Sequence, residues 1–425
     1  MSSRLLRALT TTEDLADLFS DTTVLESLLA FETALARAQA RLGMIPQSAS
    51  AATERAAVVE GFDAASISRQ ARQSASIAIP LVDALTARVH AADADASRFV
   101  HWGATSQDAI DSAMTLILRR AQTVLAADHA RLERSLRALS DQHAHTVMLA
   151  RTLLQPAPPI TFGYKVAGWY GAIHRSWRRL CGAFAEAVVL QFGGAAGTLA
   201  SYGTQGLALA RELSQELGLP LCEAPWHAHR DRLAALVAHC GIYAGALAKI
   251  ARDIALLMQA EVGEVAEAGG GSSAMPHKRN PSGCVIVLAD ATRIPGLVAA
   301  FLAGMVQEHE RAAGGWQAEW VTVADVIEAT GSALAAAAGV IDGLSVFPDR
   351  MRANLDDTYG AVFAERVSML LTPKLGRAAA HTLSKDWRDN REVAALLTAE
   401  QLESVGRAED YLGAAEEFRR RLLES

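Results

Sequence analysis

Residues 271–281 read Gly-Ser-Ser-Ala-Met-Pro-His-Lys-Arg-Asn-Pro and follow two further glycines. Glycine frees the backbone for a positive φ and for close approach to a ligand. Ser272 and Ser273 supply hydroxyl groups that could move a proton, whereas Lys278 and Asn280 supply donors suited to a carboxylate. The stretch therefore combines a possible base with the charge that would stabilise an enolate-like product, which suits chemistry at a carbon next to a carboxylate.

A flexible linker is the alternative interpretation, because Gly-Ser-rich stretches commonly form one. A phosphate-binding P-loop is excluded, since no Gly-Lys-Ser/Thr follows a strand. The string resembles the pattern Gly-Ser-Ser-x-Met-Pro-x-Lys-x-Asn-Pro of the fumarase/aspartase superfamily. This resemblance implies that Ser272 carries the proton, that Lys278 and Asn280 hold the carboxylate that becomes an enediolate, and that Ser273 and Met275 contact the substrate.

A second cluster, residues 101–108, reads His-Trp-Gly-Ala-Thr-Ser-Gln-Asp and directly precedes a predicted long helix. Thr105 and Ser106 would lie near the positive end of that helix, which suits a carboxylate. Plain N-capping, worth about 1 kcal/mol, is the alternative. The cluster also resembles a superfamily region, which implies that Thr105 and Ser106 bind a substrate carboxylate and that His101 contacts the ligand.

A third cluster, residues 151–161, resembles the superfamily pattern Arg-Thr-His-x-Gln-x-Ala-x-Pro-x-Thr. Leu153 stands at the usual histidine position, and Pro156 at a position that often holds histidine in relatives. Neither side chain exchanges protons, so another group must supply any second acid. Gln155 can still donate to a ligand.

A fourth cluster, residues 225–232, reads Pro-Trp-His-Ala-His-Arg-Asp-Arg. Arg230 or Arg232 could hold a carboxylate with two parallel hydrogen bonds. The alternative is a solvated helix N-terminus with arginines in surface ion pairs. The run resembles a string of the 3-carboxy-cis,cis-muconate cycloisomerases within the superfamily, which implies that His101, His227, Arg230 and Arg232 are the candidates for the additional acid group.

Further strings resemble the same branch, so that the resemblance covers nearly the whole chain. They are residues 191–198 (Gln-Phe-Gly-Gly-Ala-Ala-Gly-Thr), 307–320, 363–366 and 376–381. The glycines of 191–198 lack the Gly-x-Gly-x-x-Gly spacing and the strand-helix context of a dinucleotide fingerprint, so we reject that reading.

The composition narrows the class of protein. The chain has 425 residues, 51% of them hydrophobic, and a net charge of -7, which argues against a general nucleic-acid surface. Charged residues interrupt each apolar run, so we expect no membrane span, and the N-terminal residues lack a signal-peptide pattern, which predicts a cytoplasmic protein. No Cys-x-x-Cys or His-Glu-x-x-His occurs, so we expect no disulfide framework and no metal.

Helical spacing of apolar residues predicts an all-α fold with a long-helix bundle. The pattern runs through 110–139, 231–268 and 321–344, within long gaps between prolines. We predict three segments: an N-terminal helical domain (1–102), the central bundle (103–345) and a C-terminal helical cap (346–425). The resemblance implies a homotetramer whose active sites are shared between subunits.

The function implied by the resemblance is cycloisomerisation of 3-carboxy-cis,cis-muconate to a carboxymuconolactone through an aci-carboxylate, in aromatic (protocatechuate) catabolism. Thr105, Ser106 and Gln155 would orient the di- or tricarboxylate substrate, and no cofactor is expected. Three alternatives stay open at this point: a 3-sulfomuconate cycloisomerase, an elimination lyase acting on an adenylosuccinate-like or nitrosuccinate-like compound, and a non-catalytic structural bundle.

Overall fold

Long helices dominate this computed structural model, which describes residues 4–271, 275 and 278–424. The helices, in chain order, are α1 (Arg4–Arg7), α2 (Glu13–Leu18), α3 (Asp21–Arg41), α4 (Gln47–Ala56), α5 (Ala64–Ser74), α6 (Ala78–Ala92), α7 (Ser106–Gln142), α8 (Phe162–Ala187), α9 (Gly206–Leu217), α10 (Asp231–Leu257), α11 (Ser282–Gly304), α12 (Gly315–Asp342), α13 (Pro348–Asp356), α14 (Ala364–Leu375), α15 (Arg377–Ser384), α16 (Arg391–Leu396), α17 (Ala399–Val405) and α18 (Ala415–Glu424). The prediction of an all-α fold is confirmed.

The strands of the described residues form two short antiparallel pairs. They are β1 (Val147–Thr152) with β2 (Gln155–Thr161), and β3 (Val265–Ala266) with β4 (Ser345–Val346). Leu153 and Leu154 form the β1–β2 turn with φ of 51° and 64°. Both side chains are strongly exposed, at 96% and 73%, so this turn places two branched residues in a backbone region that favours glycine.

The predicted helical pattern over 231–268 ends earlier than expected. Helix α10 stops at Leu257, and the amide of Glu264 returns to donate to the carbonyl of Leu257 at 2.9 Å. Gly263 turns the chain with a φ of 62°. The apolar residues that follow pair as β3 with β4, so a two-residue strand continues a pattern that resembled a helix.

Contacts divide the chain into two units. Unit 1 comprises Met1–Asp128, Ser176–Gly245 and Ala289–Leu334, and unit 2 comprises His129–Arg175, Ala246–Leu288 and Ala335–Ser425. The three consecutive domains proposed from the sequence follow chain order and stay a prediction.

Small residues allow close helix packing within unit 1. Ala244 of α10, Ile294 of α11 and Ala329 of α12 form one buried cluster, against which Val298 packs. A Cβ added to Gly241 would lie 3.2 Å from a methyl group of Val298. In unit 2, a separate core joins β1 to the C-terminal helices, with Val147, Leu149, Phe363, Val367 and Trp387 among its members.

Three helices, α10, α11 and α12, are long and apolar enough to cross a membrane by length and composition alone. The expectation that charged residues interrupt every apolar run is wrong for these three helices, because one or two charged residues do not lower the apolar character of such a helix sufficiently. The expectation of no membrane span stays a prediction. Much of the apolar surface of α12 is used for packing, since 72% of its most apolar window is buried inside the protein.

Candidate active site

The base of the glycine-led loop in unit 2 is closed by backbone pairing. The amide of Asn280 donates to the carbonyl of Gly270 at 2.6 Å, and Gly271 forms an isolated antiparallel bridge with Arg279. Gly270 has a φ of +76°, and a Cβ there would lie 2.0 Å from the carbonyl oxygen of Asn280. Only glycine permits this closure.

Within this loop, Ser272 and Ser273 lie outside the described residues. Met275 and Lys278 are exposed and Asn280 is half-buried, and the amide of Lys278 donates to the carbonyl of Met275 at 3.0 Å. The described part of the loop thus brings Lys278 and Asn280 to one short stretch beside the loop base.

Helix α11 begins directly after the loop and is capped by Glu267. The carboxylate of Glu267 accepts hydrogen bonds from the amides of Gly283 at 2.8 Å and Cys284 at 3.0 Å. A negative charge at a helix N-terminus satisfies unpaired amides and the helix dipole. Glu267, four residues before Gly271, therefore ties one end of the loop to the helix at its other end.

We predict that Glu267→Ala lowers the free energy of unfolding by about 1–2 kcal/mol, because one buried and one partly buried helix-end amide lose their acceptor. Urea denaturation followed by circular dichroism measures the loss. Glu261→Ala, which removes an exposed carboxylate of the same unit, is the control. Equal unfolding free energies for the two variants would contradict the capping role.

The β1–β2 hairpin of unit 2 carries Gln155. Its side chain is exposed, while its backbone pairs with Thr152. Arg151 turns the other way and donates to Glu264 through both terminal nitrogens, at 2.9 and 2.6 Å, and Asn354 donates to the same carboxylate at 2.8 Å. Arg151 is therefore a structural member of this hairpin, whereas the polar side chain of Gln155 is exposed and carries no structural role among the described residues.

In unit 1, His101 lies before α7 and is held by Glu32. Its Nδ1 is 2.6 Å from Oε1 of Glu32, whose side chain is 1% exposed. Burial lowers the pKa of His101, but the charge and hydrogen bond of Glu32, with the charge of Asp108, outweigh it and raise that pKa above 6.5. The surroundings of His101 thus stabilise its cationic form relative to a free imidazole, which suits contact with a substrate carboxylate.

The chain around His101 is fixed through its backbone. His101 has a φ of 53°, and the next carbonyl, that of Trp102, accepts hydrogen bonds from Gln39 at 2.8 Å and Tyr202 at 2.9 Å. A Cβ on Gly103 would lie 2.6 Å from the Tyr202 ring. A left-handed histidine held this way is the kind of strain that functional sites retain.

Helix α7 begins at Ser106, and both predicted hydroxyl residues stand at its first turn and are half-buried. The Thr105 hydroxyl accepts a hydrogen bond from Arg311 at 2.5 Å. Arg311 also donates to the carbonyls of Gly194 and Ala195, at 3.2 and 3.0 Å. The helix N-terminus and Arg311 together place positive charge beside these hydroxyls.

His227 and Asp108 form a buried pair. Nε2 of His227 is 2.7 Å from Oδ1 of Asp108, and the two side chains are 4% and 0% exposed. The same carboxylate accepts the amides of Gly193 and Gly194, both at 2.9 Å, and that of Thr105 at 3.1 Å. The three other partners of the Asp108 carboxylate are N–H donors, so the carboxylate acts as an acceptor and Nε2 of His227 donates to it. Nδ1 is therefore the ring nitrogen left to exchange a proton.

The glycine-rich segment 191–198 wraps His227. A Cβ on Gly193 would lie 2.8 Å from Cε1 of His227 and 2.7 Å from the Pro225 ring, and one on Gly197 would lie 3.8 Å from Nδ1 of His227. The segment that is not a dinucleotide fingerprint therefore packs against His227, and its glycines leave room for the imidazole ring.

We predict that Gly193→Ala displaces His227, a candidate proton-exchanging residue, and lowers kcat by about 10- to 100-fold, since a displacement of about 1 Å can cost a hundredfold. Steady-state kinetics measure the loss. Gly182→Ala on α8, where a Cβ would meet nothing within 4 Å, is the matched control. An unchanged kcat in Gly193→Ala would show that the position of His227 does not limit turnover.

Arg230 is buried between two carboxylates, and this changes its interpretation. Its donors bind Asp111, Glu319 and the carbonyl of Trp226, and its side chain is 1% exposed. No donor is left for a ligand, so the geometry does not favour the predicted substrate-binding role. Arg232 is paired with Glu223 at 2.8 Å, and the Glu223 side chain is 86% exposed, which is the surface ion pair considered as the alternative.

Several residues of the candidate site were not predicted from the sequence. Glu32 lies 69 positions from His101 and has no local motif. Asp108 lay within a quoted cluster but received no role, and Glu319 and Arg311 lay within the quoted string 307–320. Part of the signal for Asp108 was available, since an acid in the first turn of a helix commonly accepts backbone amides. Its pairing with Gly193 and Gly194, 85 and 86 positions away, was not.

Among the residues that the structure describes, no group of three or more His, Cys, Asp or Glu side chains could hold a metal ion. The clusters described above offer, in unit 1, the pairs His101–Glu32 and His227–Asp108 and a helix N-terminus with hydroxyls, and, in unit 2, a loop with a lysine and an amide. These groups can bind carboxylates and move protons.

Comparison with known proteins identifies what the chain is similar to. A family model described as Lyase matches residues 7–296. The 3-carboxy-cis,cis-muconate cycloisomerase of Bradyrhizobium diazoefficiens is 45% identical over 424 residues, covering 95% of this chain and 94% of that protein. The nitrosuccinate lyase of Streptomyces davaonensis is 41% identical, covering 93% of this chain and 89% of that protein. The crystal structure of 3-carboxy-cis,cis-muconate lactonizing enzyme from Pseudomonas putida has a TM-score of 0.94 at 41% identity, covering 99% of this chain and 98% of that one.

Proposed function

The chain belongs to the lyase family, and from this membership we propose that it is a cycloisomerase that converts 3-carboxy-cis,cis-muconate to a carboxymuconolactone. The observation that carries the proposal is the similarity to enzymes of that name along nearly the full length of both chains. The described site residues support the proposal, because they can bind carboxylates and transfer protons.

The reaction is an addition within one molecule. An oxygen of one substrate carboxylate attacks the ring-closing carbon, and the electrons of the double bond move onto a second carboxyl group, which becomes an aci-carboxylate. A proton then bonds to the adjacent carbon. The substrate has three carboxylates and the product has two and a lactone, so each turnover takes up one proton. Closure needs a fixed near-attack geometry above all.

We assign the proton delivery to Ser272, with Lys278 and Asn280 as donors to the aci-carboxylate. A serine hydroxyl is a weak acid in water, so preorganised donors must stabilise its alkoxide. One such donor is worth about 3 kcal/mol in a site from which water is excluded. Gln155, Thr105 and Ser106 stay our predicted contacts for the substrate carboxylates.

Because Ser272 gives up a proton in each turnover, a second group must restore it. Leu153 and Pro156 cannot, and Arg230 and Arg232 are held in ion pairs. We propose His227 for this role, with Asp108 fixing its tautomer, and His101 as a cation that holds a carboxylate. Histidine is suited to proton transfer near neutral pH.

We further propose that the enzyme is a homotetramer with active sites shared between subunits, which sedimentation equilibrium would test. The cytoplasm is our proposed location. The four cysteines are free thiols, in keeping with a reducing compartment.

A second candidate function is elimination of nitrite from nitrosuccinate, which the similarity to the Streptomyces davaonensis enzyme favours. The two reactions have opposite proton balances, because elimination releases a proton whereas lactonisation takes one up.

The test is to incubate the purified enzyme separately with 3-carboxymuconate, 3-sulfomuconate, nitrosuccinate and adenylosuccinate in weak buffer. Ultraviolet absorbance follows the double bonds, and a pH indicator follows the proton. We expect loss of 3-carboxymuconate absorbance with uptake of one proton per molecule. Turnover of nitrosuccinate or adenylosuccinate alone would overturn the cycloisomerase proposal, and turnover of the sulfonate alone would change its substrate. If no substrate reacts, the structural-bundle alternative replaces it.

A further inference from the structure

We infer that Arg230 is a positioning residue for His227, and that Asp111 and Glu319 are the anchors through which it acts. The inference deepens the proposed function, on which it rests for the role of His227. It replaces the prediction that Arg230 binds a substrate carboxylate.

The hydrogen bonds of Arg230 use its whole donor set. Nη1 donates to Asp111 at 2.8 Å and to the carbonyl of Trp226 at 3.5 Å, Nη2 donates to Asp111 at 3.1 Å and Glu319 at 2.8 Å, and Nε donates to Glu319 at 2.9 Å. A guanidinium has five N–H groups. All five are therefore committed to partners from α7, α12 and the segment before α10.

Asp111 transmits this arrangement to the backbone of Trp226 and His227 through two glutamines. Nε2 of Gln107 donates to Asp111 at 3.1 Å and to the carbonyl of His227 at 2.8 Å. Nε2 of Gln191 donates to Asp111 at 3.1 Å, and its Oε1 accepts the amide of Trp226 at 2.9 Å. The backbone of residues 226 and 227 is thus held at two points by side chains that converge on Asp111.

Arg230 also contacts the side chain of Trp226 directly. Its guanidinium carbon lies 4.6 Å from the centre of the Trp226 ring, within the range of a cation–π contact. The indole of Trp316 on α12 donates to Asp111 at 2.9 Å. Trp226, the residue before His227, is therefore packed against the arginine that organises the cluster.

The charge of Arg230 and the charges of Asp111 and Glu319 stabilise each other in a buried environment. Burial lowers the pKa of Arg230, but its two carboxylate partners outweigh this and raise it. Burial raises the pKa of Asp111, but the charge and hydrogen bonds of Arg230 outweigh this and hold it below its usual value. Burial, helped by the charge of Asp111, raises the pKa of Glu319 to about 6 despite Arg230. One cation faces two buried carboxylates, so loss of either partner disturbs the whole group.

The test uses Arg230→Lys and Glu319→Gln in the full-length enzyme. Lysine keeps the charge but lacks the planar fork that spans two carboxylates, and glutamine keeps the size of Glu319 but not its charge. We expect each variant to lower kcat by about 10- to 100-fold with KM changed by less than about threefold, since a displaced catalytic group costs rate rather than ground-state binding. A substrate-binding arginine would give the reverse, with KM raised and kcat largely kept.

Arg7→Lys is the matched control, because Arg7 also binds two carboxylates of α12, Asp325 at 2.9 Å and Glu328 at 3.1 Å. We expect its kcat to equal that of the unchanged enzyme. Near-UV circular dichroism checks folding. Should Arg230→Lys fail to fold, Glu319→Gln and Trp316→Phe, which removes one N–H donor to Asp111, take its place.

The kinetic comparison uses whichever substrate the unchanged enzyme consumes, so failure of the cycloisomerase proposal does not decide this inference. Full kcat in folded Arg230→Lys and Glu319→Gln, or a rise in KM without a fall in kcat, would overturn it. A fall in kcat for Arg7→Lys equal to that of the two variants would overturn it too, because the effect would then be a general loss of rigidity.

Discussion

The variant His227→Asn is expected to lower kcat by about 10²- to 10⁴-fold, the contribution that a positioned acid–base group typically makes. Asparagine cannot exchange a proton near neutral pH, and its shorter side chain does not reach the position of Nε2. The imidazole is held to Asp108 by a 2.7 Å hydrogen bond with both side chains buried, so the substitution removes a positioned proton-exchanging group. Stopped-flow and steady-state absorbance with 3-carboxymuconate measure kcat.

The control is His229→Asn, because His229 lies two positions away and is exposed; its kcat should equal that of the unchanged enzyme. Asp108→Asn should lose kcat to a similar extent as His227→Asn, because an amide no longer fixes the histidine tautomer. Retention of full turnover in His227→Asn would remove this residue from the mechanism and leave His101 as the candidate for restoring the proton.

The variant Ser272→Ala is expected to lower kcat by about 10²- to 10⁴-fold or more, since it removes the group that we propose delivers the proton to carbon. The loop that holds it is closed at its base by the Gly270–Asn280 pairing, which a serine-to-alanine change does not touch. KM should change little. In deuterium oxide, residual product of the variant should show loss of facial selectivity at the new carbon–hydrogen bond, measured by nuclear magnetic resonance.

Ser282→Ala, at the exposed first residue of α11, is the control for loss of a nearby hydroxyl and should keep full kcat. Full turnover in Ser272→Ala, with deuterium still added to one face, would assign proton delivery to another group.

The all-α fold was predictable from the sequence because helices leave a periodic apolar pattern. The end of α10 was not, because the residues of β3 continue that pattern, and the deciding contact is a strand pairing with residues 345–346, far along the chain. The apolar pattern of a segment reflects its local helix or strand propensity, and pairing with a segment far along the chain can override that propensity.

The site was predictable where chemistry lies in a contiguous string. His101, Thr105 and His227 came from such strings, and each stands in a hydrogen-bonded cluster. Glu32 was missed because its partner is distant in sequence. The predicted contact of Arg230 with substrate stays a prediction that its ion pairs with Asp111 and Glu319 do not favour, and a sequence cannot show that a guanidinium is buried between two carboxylates.

The paired base of the loop formed by Gly270 and Asn280 has a practical consequence for engineering. Because the Gly270–Asn280 hydrogen bond and the Gly271–Arg279 bridge are both backbone contacts, an exchange of residues 271–279 between relatives that act on different acids is expected to keep the loop closed. Chimeras that retain Glu267, Gly270 and Asn280 offer a route to retarget the enzyme without rebuilding its scaffold.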